Sequence, residues 1–93
     1  MHMVVRIFKA LSSPRRIEIL KLIAKKPLCQ CEFERNMTID KTTVSRHVRE
    51  LVLANLIKIE QKGVTKILHI KDERIMEIIE LAEKIIKKEK ERV

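Results

Sequence analysis

The chain has 93 residues and a formal net charge of +8, with 21 Lys and Arg against 13 Asp and Glu. A chain of this length forms one domain with a modest core, which leaves little room for the substrate pocket of an enzyme. It contains no apolar run long enough to cross a bilayer and no recognisable leader peptide. The sequence therefore predicts a cytoplasmic protein that is not an enzyme, with no membrane partner and no small-molecule substrate.

The positive charge is unevenly distributed along the chain. Residues 1–71 carry 15 Lys and Arg against 6 Asp and Glu, a balance of +9, whereas residues 72–93 carry 6 against 7. Such a cationic segment indicates a phosphate-rich partner such as nucleic acid. The composition is also rich in Ile (14), Lys (13) and Glu (11), with two Asn and two Gln, a bias that favours a thermophilic source.

The chain begins with two predicted helices, over residues 4–11 and 14–25. Ser13 is placed to cap the second helix, and Pro14 suits its first position. Arg15 and Arg16 follow in the first turn, where the helix dipole disfavours cations, so we expect an anionic partner there. That partner is either Glu18, which we favour, or a phosphate. The inward-facing residues of the second helix are predicted to be Ile17, Leu20, Ile23 and Ala24.

A third predicted helix over residues 28–35, a turn over 36–39 and a fourth helix ending at residue 53 form a helix-turn-helix, bounded at residues 28–54. Asp40 supplies the N-cap of the fourth helix. One face of this helix is apolar, with Val44, Val48, Leu51 and Val52. The other face carries two arginines, which can bond guanine edges or phosphates, and two hydroxyls that permit close approach to a groove. These predicted base-reading residues are Thr42, Ser45, Arg46 and Arg49.

After residue 55 the pattern changes to short β-branched runs at residues 56–60 and 65–70, separated by a segment that holds the chain's one glycine, Gly63. This pattern predicts a β-hairpin wing over residues 56–70, with Lys62 at its tip and Lys66 close behind. The predicted fold is a winged helix-turn-helix, mainly α with a small β-hairpin, in the order α-α-α-α-β-β-α over a single domain of residues 1–93. The residues predicted to neutralise phosphates are Lys41, Thr43, Lys62 and Lys66.

A last helix is predicted over residues 72–91, with an apolar stripe wider than so small a domain can cover. The stripe could dock on its own chain, or it could join the helix at residues 4–11 in a dimer interface. We favour the homodimer, because an uncovered patch of this size would promote aggregation. The residues of the stripe are Ile75, Met76, Ile78, Ile79, Leu81, Ala82, Ile85 and Ile86.

Three stretches of the sequence carry a family resemblance. They are Lys-Ala-Leu-Ser-Ser-Pro-Arg-Arg-Ile-Glu-Ile-Leu at 9–20, Leu-Cys-Gln-Cys-Glu-Phe at 28–33 and Thr-Val-Ser-Arg-His-Val-Arg-Glu-Leu at 43–51. Together they resemble the ArsR/SmtB family of winged-helix repressors. The resemblance implies a homodimer that binds operator DNA and represses transcription, often releasing the DNA when a metal or metalloid binds.

By match of position, Ser45, Arg46 and His47 take the recognition role in this resemblance. The helical wheel qualifies the role of His47, because it places this side chain beside Val44 and Leu51. His47 is therefore expected either to contact DNA or to pack and orient its neighbours, and the sequence leaves both open.

Cys29 and Cys31 match the box of the family's metal sensors, but Glu34 stands where the arsenic-sensing pattern has its third cysteine. The family's other metal site, on the last helix, lacks its histidines, with Asp72, Arg74 and Ile85 at its positions. No cofactor is therefore predicted. On one regular helix the two thiols would point about 200° apart, too far to share an ion or close a relaxed disulfide. We expect two unbound cysteines; the alternatives are a redox or inter-subunit thiol site and a soft metal or metalloid site.

Two rival functions remain beside a sequence-specific regulator of double-stranded DNA. One is a winged-helix module for protein contacts, and the other is a non-specific nucleic-acid-binding protein that senses no effector. RNA binding by stacking is disfavoured, because Phe8 and Phe33 are the only aromatic residues and both are predicted to lie in the core.

Overall fold

A computed structural model describes residues 2–37 and 39–92 of the chain, with side chains up to residue 87. Met1, Thr38 and Val93, which the predicted turn and domain include, lie outside this description. The predicted order of helices and strands is confirmed, with one short strand added. The elements are α1 (Met3–Ala10), α2 (Pro14–Lys25), β1 (Leu28–Cys29), α3 (Gln30–Asn36), α4 (Lys41–Leu53), β2 (Ile57–Lys62), β3 (Thr65–Ile70) and α5 (Arg74–Arg92).

The added strand corrects the predicted start of the third helix. Leu28 and Cys29 do not continue a helix but pair antiparallel with Leu68 and Ile67 of β3, which gives a three-stranded sheet in the order β1-β3-β2. Cys29 has extended backbone angles, φ −66° and ψ 140°, and its Sγ accepts a hydrogen bond from the Cys31 backbone N–H. Cys29 is therefore the N-cap of α3.

Local signals set two helix boundaries. Ser13 caps α2 as predicted, because its Oγ accepts a hydrogen bond from the Arg16 N–H at 3.4 Å. At the end of α4, Asn55 adopts a left-handed conformation with φ 66°, and the Leu56 N–H donates to the Leu51 carbonyl at 3.0 Å. A left-handed residue after the last turn reverses the chain, and here it leads α4 into β2.

A single apolar core joins the helices to the sheet. In α2, Leu20 and Ile23 are buried as predicted, but Ala24 is exposed and Ile19 is fully buried. This difference arises because α2 contacts β3, α4 and α5, so its buried stripe is centred on Ile19 and Leu20. The other buried apolar residues are Ala10, Phe33, Met37, Val44, Val48, Leu51, Ala54, Leu56, Ile57, Leu68, Ile75 and Ile79.

The apolar stripe of α5 divides along its length. Ile75 and Ile79 are buried in the core, whereas Ile85 is 70% exposed, in company with exposed Leu81 and Ile86. Helix α1 also presents an exposed apolar face, formed by Met3, Val4, Val5 and Phe8. The predicted burial of Phe8 is therefore wrong, because this face of α1 has no cover within the protomer. Among the described helices, none combines the length and apolarity that a membrane span requires.

Candidate nucleic-acid interface

The interface is centred on α4, and its first turn is held by Asp40. The Asp40 Oδ1 accepts a hydrogen bond from the Thr43 backbone N–H at 2.8 Å. The bonds from Thr43, together with the charge of Arg46, hold the pKa of Asp40 below its usual value. Because a carboxylate suits the positive end of the helix dipole, the helix starts where the sequence predicts.

Helix α4 has one buried face and one exposed face. Val44, Val48 and Leu51 are buried against the core, as predicted, but Val52 is 38% exposed. Val52 lies one position beyond the last core residue of the stripe, at the edge that faces solvent. The predicted base-reading residues are all exposed, namely Thr42, Ser45, Arg46 and Arg49.

The cations of this face are available for a partner. Within the residues that the structure describes, neither Lys41, Arg46 nor Arg49 forms a salt bridge. Arg46 and Arg49 are three residues apart, which places them as neighbours on the surface of one helix. Their guanidinium groups can therefore donate bidentate hydrogen bonds to base edges or phosphates without first leaving an internal carboxylate.

Ser45 makes a contact that the sequence did not suggest. Its Oγ accepts a hydrogen bond at 3.2 Å from the Nε2 of Gln30, which is 9% exposed. Gln30 is the first residue of α3, so this bond connects the two helices of the helix-turn-helix. Because a hydroxyl retains one donor and a second acceptor site, Ser45 can still bond outward.

The wing lies beside the N-termini of α3 and α4. In the hairpin, Lys62 pairs with Thr65, and the turn passes through Gly63 with φ 61° and Val64, which is 99% exposed. Lys62 lies 4.0 Å from Glu60, a weak exposed pair, and Lys66 is exposed. A single groove is lined by the wing and by both helices, through Cys29, Gln30, Cys31, Glu34, Lys41, Thr42, Ser45, Val64, Thr65 and Lys66.

His47 and Thr43 are set back from the exposed residues. Both are half-buried, and the His47 Nδ1 lies 3.2 Å from a terminal nitrogen of Arg16.

The arginines of the first turn of α2 have different partners. Arg15 pairs with Glu18 at 3.5 Å as predicted, whereas Arg16 bonds to the carbonyls of α1 and to His47, so the predicted Glu18 partner is wrong for Arg16.

The two cysteines are bonded to each other, which corrects the expectation of two unbound thiols. Cys29 and Cys31 form a disulfide with their Cα atoms 5.2 Å apart. The separation of about 200° that opposed this bond holds only if both residues belong to one regular helix. Cys29 instead lies in β1 with an extended backbone, so its side chain can turn toward Cys31 in the first turn of α3.

Sequence reasoning missed Gln30 and assigned the wrong partner to Arg16. The signal for Arg16 was present as an unexplained cation in the first turn of a helix. No comparable signal marked Gln30, because its burial follows from β1, which was not predicted.

Comparisons with known proteins agree with this geometry. The sequence model of the family described as bacterial regulatory protein, arsR family, matches residues 13–58. An uncharacterized HTH-type transcriptional regulator of Methanocaldococcus jannaschii is 34% identical over 80 residues, which cover 85% of this chain and 90% of that protein. An arsenical resistance operon repressor of Staphylococcus xylosus is 35% identical over 57 residues, which cover 61% of this chain and 55% of that protein.

Solved structures share the fold. A homodimeric winged helix-turn-helix DNA-binding domain from Mycobacterium bovis, described as a possible ArsR-family transcriptional regulator, superposes with a TM-score of 0.84. It is 23% identical, over 98% of this chain and 84% of that one. HlyU from Vibrio cholerae superposes with a TM-score of 0.78 at 20% identity, over 89% of this chain and 90% of that one. At these identities, the structures establish a shared winged helix-turn-helix fold.

Proposed function

This chain belongs to the arsR family of bacterial regulatory proteins, and on that premise we propose that it is a dimeric, sequence-specific DNA-binding transcriptional regulator. We further propose that it acts as a repressor, as the name of the relative from Staphylococcus xylosus states of that protein. Its proposed place of action is the cytoplasm, on double-stranded DNA.

One observation carries the proposal, the exposed cationic face of α4. Arg46 and Arg49 point outward without a salt bridge to any residue that the structure describes, while Val44 and Leu51 anchor the opposite face in the core. A helix held in this way can enter the major groove as a rigid rod. Hydroxyls and arginines on its outer face can then bond base edges.

The remaining site residues have roles that follow from their positions. Lys62 and Lys66 lie on the wing and can contact the phosphate backbone beside the groove that α4 enters, which contributes affinity without sequence preference. Lys41 and Thr43 lie in the first turn of α4, where the exposed Lys41 can neutralise a phosphate and the Thr43 hydroxyl can donate to one, while the Thr43 backbone N–H is bonded to Asp40.

Dimerisation is proposed from the exposed apolar faces of α1 and α5. Phe8 is 58% exposed, and Leu81, Ile85 and Ile86 are 59%, 70% and 58% exposed. Several large apolar side chains exposed on one helix are expected to be covered in the working protein. A twofold dimer would place two α4 helices about one turn of DNA apart, matched to an inverted-repeat site.

No cofactor and no catalytic step are part of this proposal. The sulfur atoms of Cys29 and Cys31 are bonded to each other, so neither can bind a soft ion as a thiolate while the disulfide is intact. If the disulfide were reduced, two thiolates would still fall short of the three or four ligands of a usual soft-metal site.

The test begins with selection of bound fragments from a random DNA pool, which supplies a specific site for binding measurements. We expect Arg46→Ala to weaken binding to the selected site by about 1–3 kcal/mol and to relax the sequence preference at one position. Lys62→Ala serves as the matched control. It should weaken binding to selected and random DNA alike, and it should lower the salt slope by about one.

Two outcomes would contradict the proposal. Equal losses on selected and random DNA for Arg46→Ala would show that Arg46 contacts phosphate rather than bases. Failure of the wild-type protein to enrich any sequence, with no salt dependence of its affinity, would favour the rival role in protein contacts.

A further inference from the structure

Arg16 attaches α4 to the end of α1. Its Nε donates to the Ala10 carbonyl at 2.6 Å, one terminal nitrogen donates to the Lys9 carbonyl at 3.3 Å, and the other lies 3.2 Å from the His47 Nδ1. The carbonyls at a helix C-terminus lack partners within the helix and carry partial negative charge. The carbonyls of Lys9 and Ala10 therefore bind the guanidinium group of Arg16, and this group also contacts His47 in the middle of α4.

The protonation state of His47 decides whether this contact is a hydrogen bond. A guanidinium group has donors and no acceptor, so the Nδ1 of His47 must be the acceptor and must carry no proton. Burial is the first cause that lowers the pKa of His47 below its usual value, and the charges of Arg16, Arg46 and Arg15 add to it. The charged groups facing the ring are thus Arg15 and Arg16 from α2 and Arg46 from α4 itself.

We propose that Arg16 and His47 form a positioning link that fixes α4 relative to α1, so that DNA affinity requires a neutral His47. The proposal rests on the proposed function, since it concerns how the DNA-binding helix is held. Helix α1 carries part of the apolar face assigned to the dimer. The link therefore connects the orientation of α4 to the surface that would set the distance between the two DNA-binding helices.

The direction of the pH effect distinguishes this role from direct DNA contact. A histidine that contacts phosphate gains a positive charge when protonated, so affinity for DNA rises as the pH falls. For a linking histidine the opposite holds. Protonation fills the acceptor Nδ1 and places a cation beside three arginines, so the link breaks and affinity falls as the pH drops through the pKa of His47, which lies below the usual histidine value of 6.5.

The experiment measures the affinity of wild-type protein and His47→Asn for the selected DNA site between pH 7.5 and pH 5.5, at constant salt. The Asn Oδ1 can accept in place of Nδ1 and does not titrate, while His2 and His69 remain in both proteins. We expect similar affinities at pH 7.5, within about threefold. At pH 5.5 the wild type should bind more weakly than His47→Asn, by less than about tenfold, because the pKa of His47 lies below its usual value of 6.5. A wild type that binds as tightly as His47→Asn at pH 5.5, or more tightly, overturns the link.

A second comparison tests Arg16 against its neighbour. Arg16→Gln and Arg15→Gln each remove one charge from the same helical turn, but Arg15 contacts Glu18 and not His47. We expect Arg16→Gln to weaken binding at pH 7.5 about fivefold to tenfold more than Arg15→Gln, and to abolish the pH effect specific to His47. Equal losses for the two variants overturn the proposal.

The controls separate this inference from the proposed function. Circular dichroism establishes whether Arg16→Gln is folded, and if it is not, the His47→Asn comparison still decides. If the wild type enriches no DNA sequence at all, the proposed function fails and the link fails with it. If the wild type binds a selected site but its affinity rises as the pH falls, only the link is overturned.

Discussion

Asp40 shows how much a single side chain contributes to the start of α4. Its carboxylate accepts the Thr43 N–H, and this bond is the first cause that lowers the pKa of Asp40. Because the folded-state pKa is lower than the unfolded one, the stabilisation is present above the usual value of about 4. It is lost as the pH falls through the lower, folded-state value.

We therefore expect the stability cost of Asp40→Ala to depend on pH. The variant should unfold at lower urea concentration than the wild type at pH 7, and the difference should shrink steadily below pH 4. Urea titrations at pH 7 and pH 3 measure it. Glu50→Ala is the control, an exposed change on the same helix away from the cap. Its difference in stability from the wild type should not shrink in this way between pH 7 and pH 3. A difference of constant size at both pH values would contradict the role of the ionised cap.

At this scale the sequence predicts residues that act through local rules and misses those that act through tertiary neighbours. Asp40, Ser13 and Pro14 were identified because caps depend on a few consecutive residues. The role of Arg16 depends on α1 and α4 meeting at α2, which no local pattern encodes. For His47 the family resemblance raised the recognition role and the helical wheel raised the packing role, and the structure places the ring against Arg16.

Among the elements, the end of α4 depends on a left-handed residue. Asn55 has φ 66°, a conformation that costs most side chains about 1–2 kcal/mol and that Asn and Gly tolerate better. Its Oδ1 also accepts a hydrogen bond from the Lys71 Nζ. The turn into β2, and with it the position of the wing, therefore depends on this residue.

Asn55→Ala is expected to lower the free energy of unfolding by about 1 kcal/mol, because the Cβ of alanine makes the left-handed conformation unfavourable and alanine has no polar side chain to offset this cost. Asn55→Gly is the matched control, since it also loses the bond to Lys71 but accepts the backbone conformation. It should stay within about 0.5 kcal/mol of the wild type. Chemical denaturation of both variants provides the measurement. Equal destabilisation would assign the effect to Lys71 and not to the backbone.

The sequence predicts the types of the elements more completely than it predicts the pairing of strands in the sheet. The period of the apolar residues identified the five helices, and the change to β-branched runs identified the hairpin. Strand β1 has two residues, Leu28 and Cys29, too few for any period to show. Strand β1 forms because one edge of β3 is free to pair. This long-range pairing makes α3 begin at Gln30 instead of Leu28, and it gives Cys29 the extended backbone that permits its bond to Cys31.

For the whole molecule, the uncovered apolar faces of α1 and α5 are the surfaces from which the dimer is proposed. The core is complete within one protomer, with Ile75 and Ile79 buried, while Ile85 remains 70% exposed. The sequence predicted that the stripe of α5 exceeds what one domain can cover. Which residues remain exposed depends on where α5 docks against α2, and this became visible only in the structure.

We expect Ile85→Glu to produce a folded monomer. A carboxylate buried in an apolar interface without a partner is costly, so the dimer dissociation constant should rise at least a hundredfold by sedimentation equilibrium. The far-ultraviolet circular dichroism should be unchanged, because residue 85 lies outside the core. Val64→Glu, the same kind of change at the 99% exposed wing tip, should weaken DNA binding and leave the dimer intact.

The same variant shows what dimerisation contributes to DNA binding. Two linked half-sites bind with an effective concentration that a monomer lacks, an advantage of about 10²–10⁴. Ile85→Glu should therefore lose most of its affinity for an inverted repeat yet bind a single half-site as the wild type does, with sequence preference intact. Retention of full affinity for the inverted repeat by a monomeric Ile85→Glu would mean that each protomer reads DNA alone. The apolar faces of α1 and α5 would then have to serve another partner.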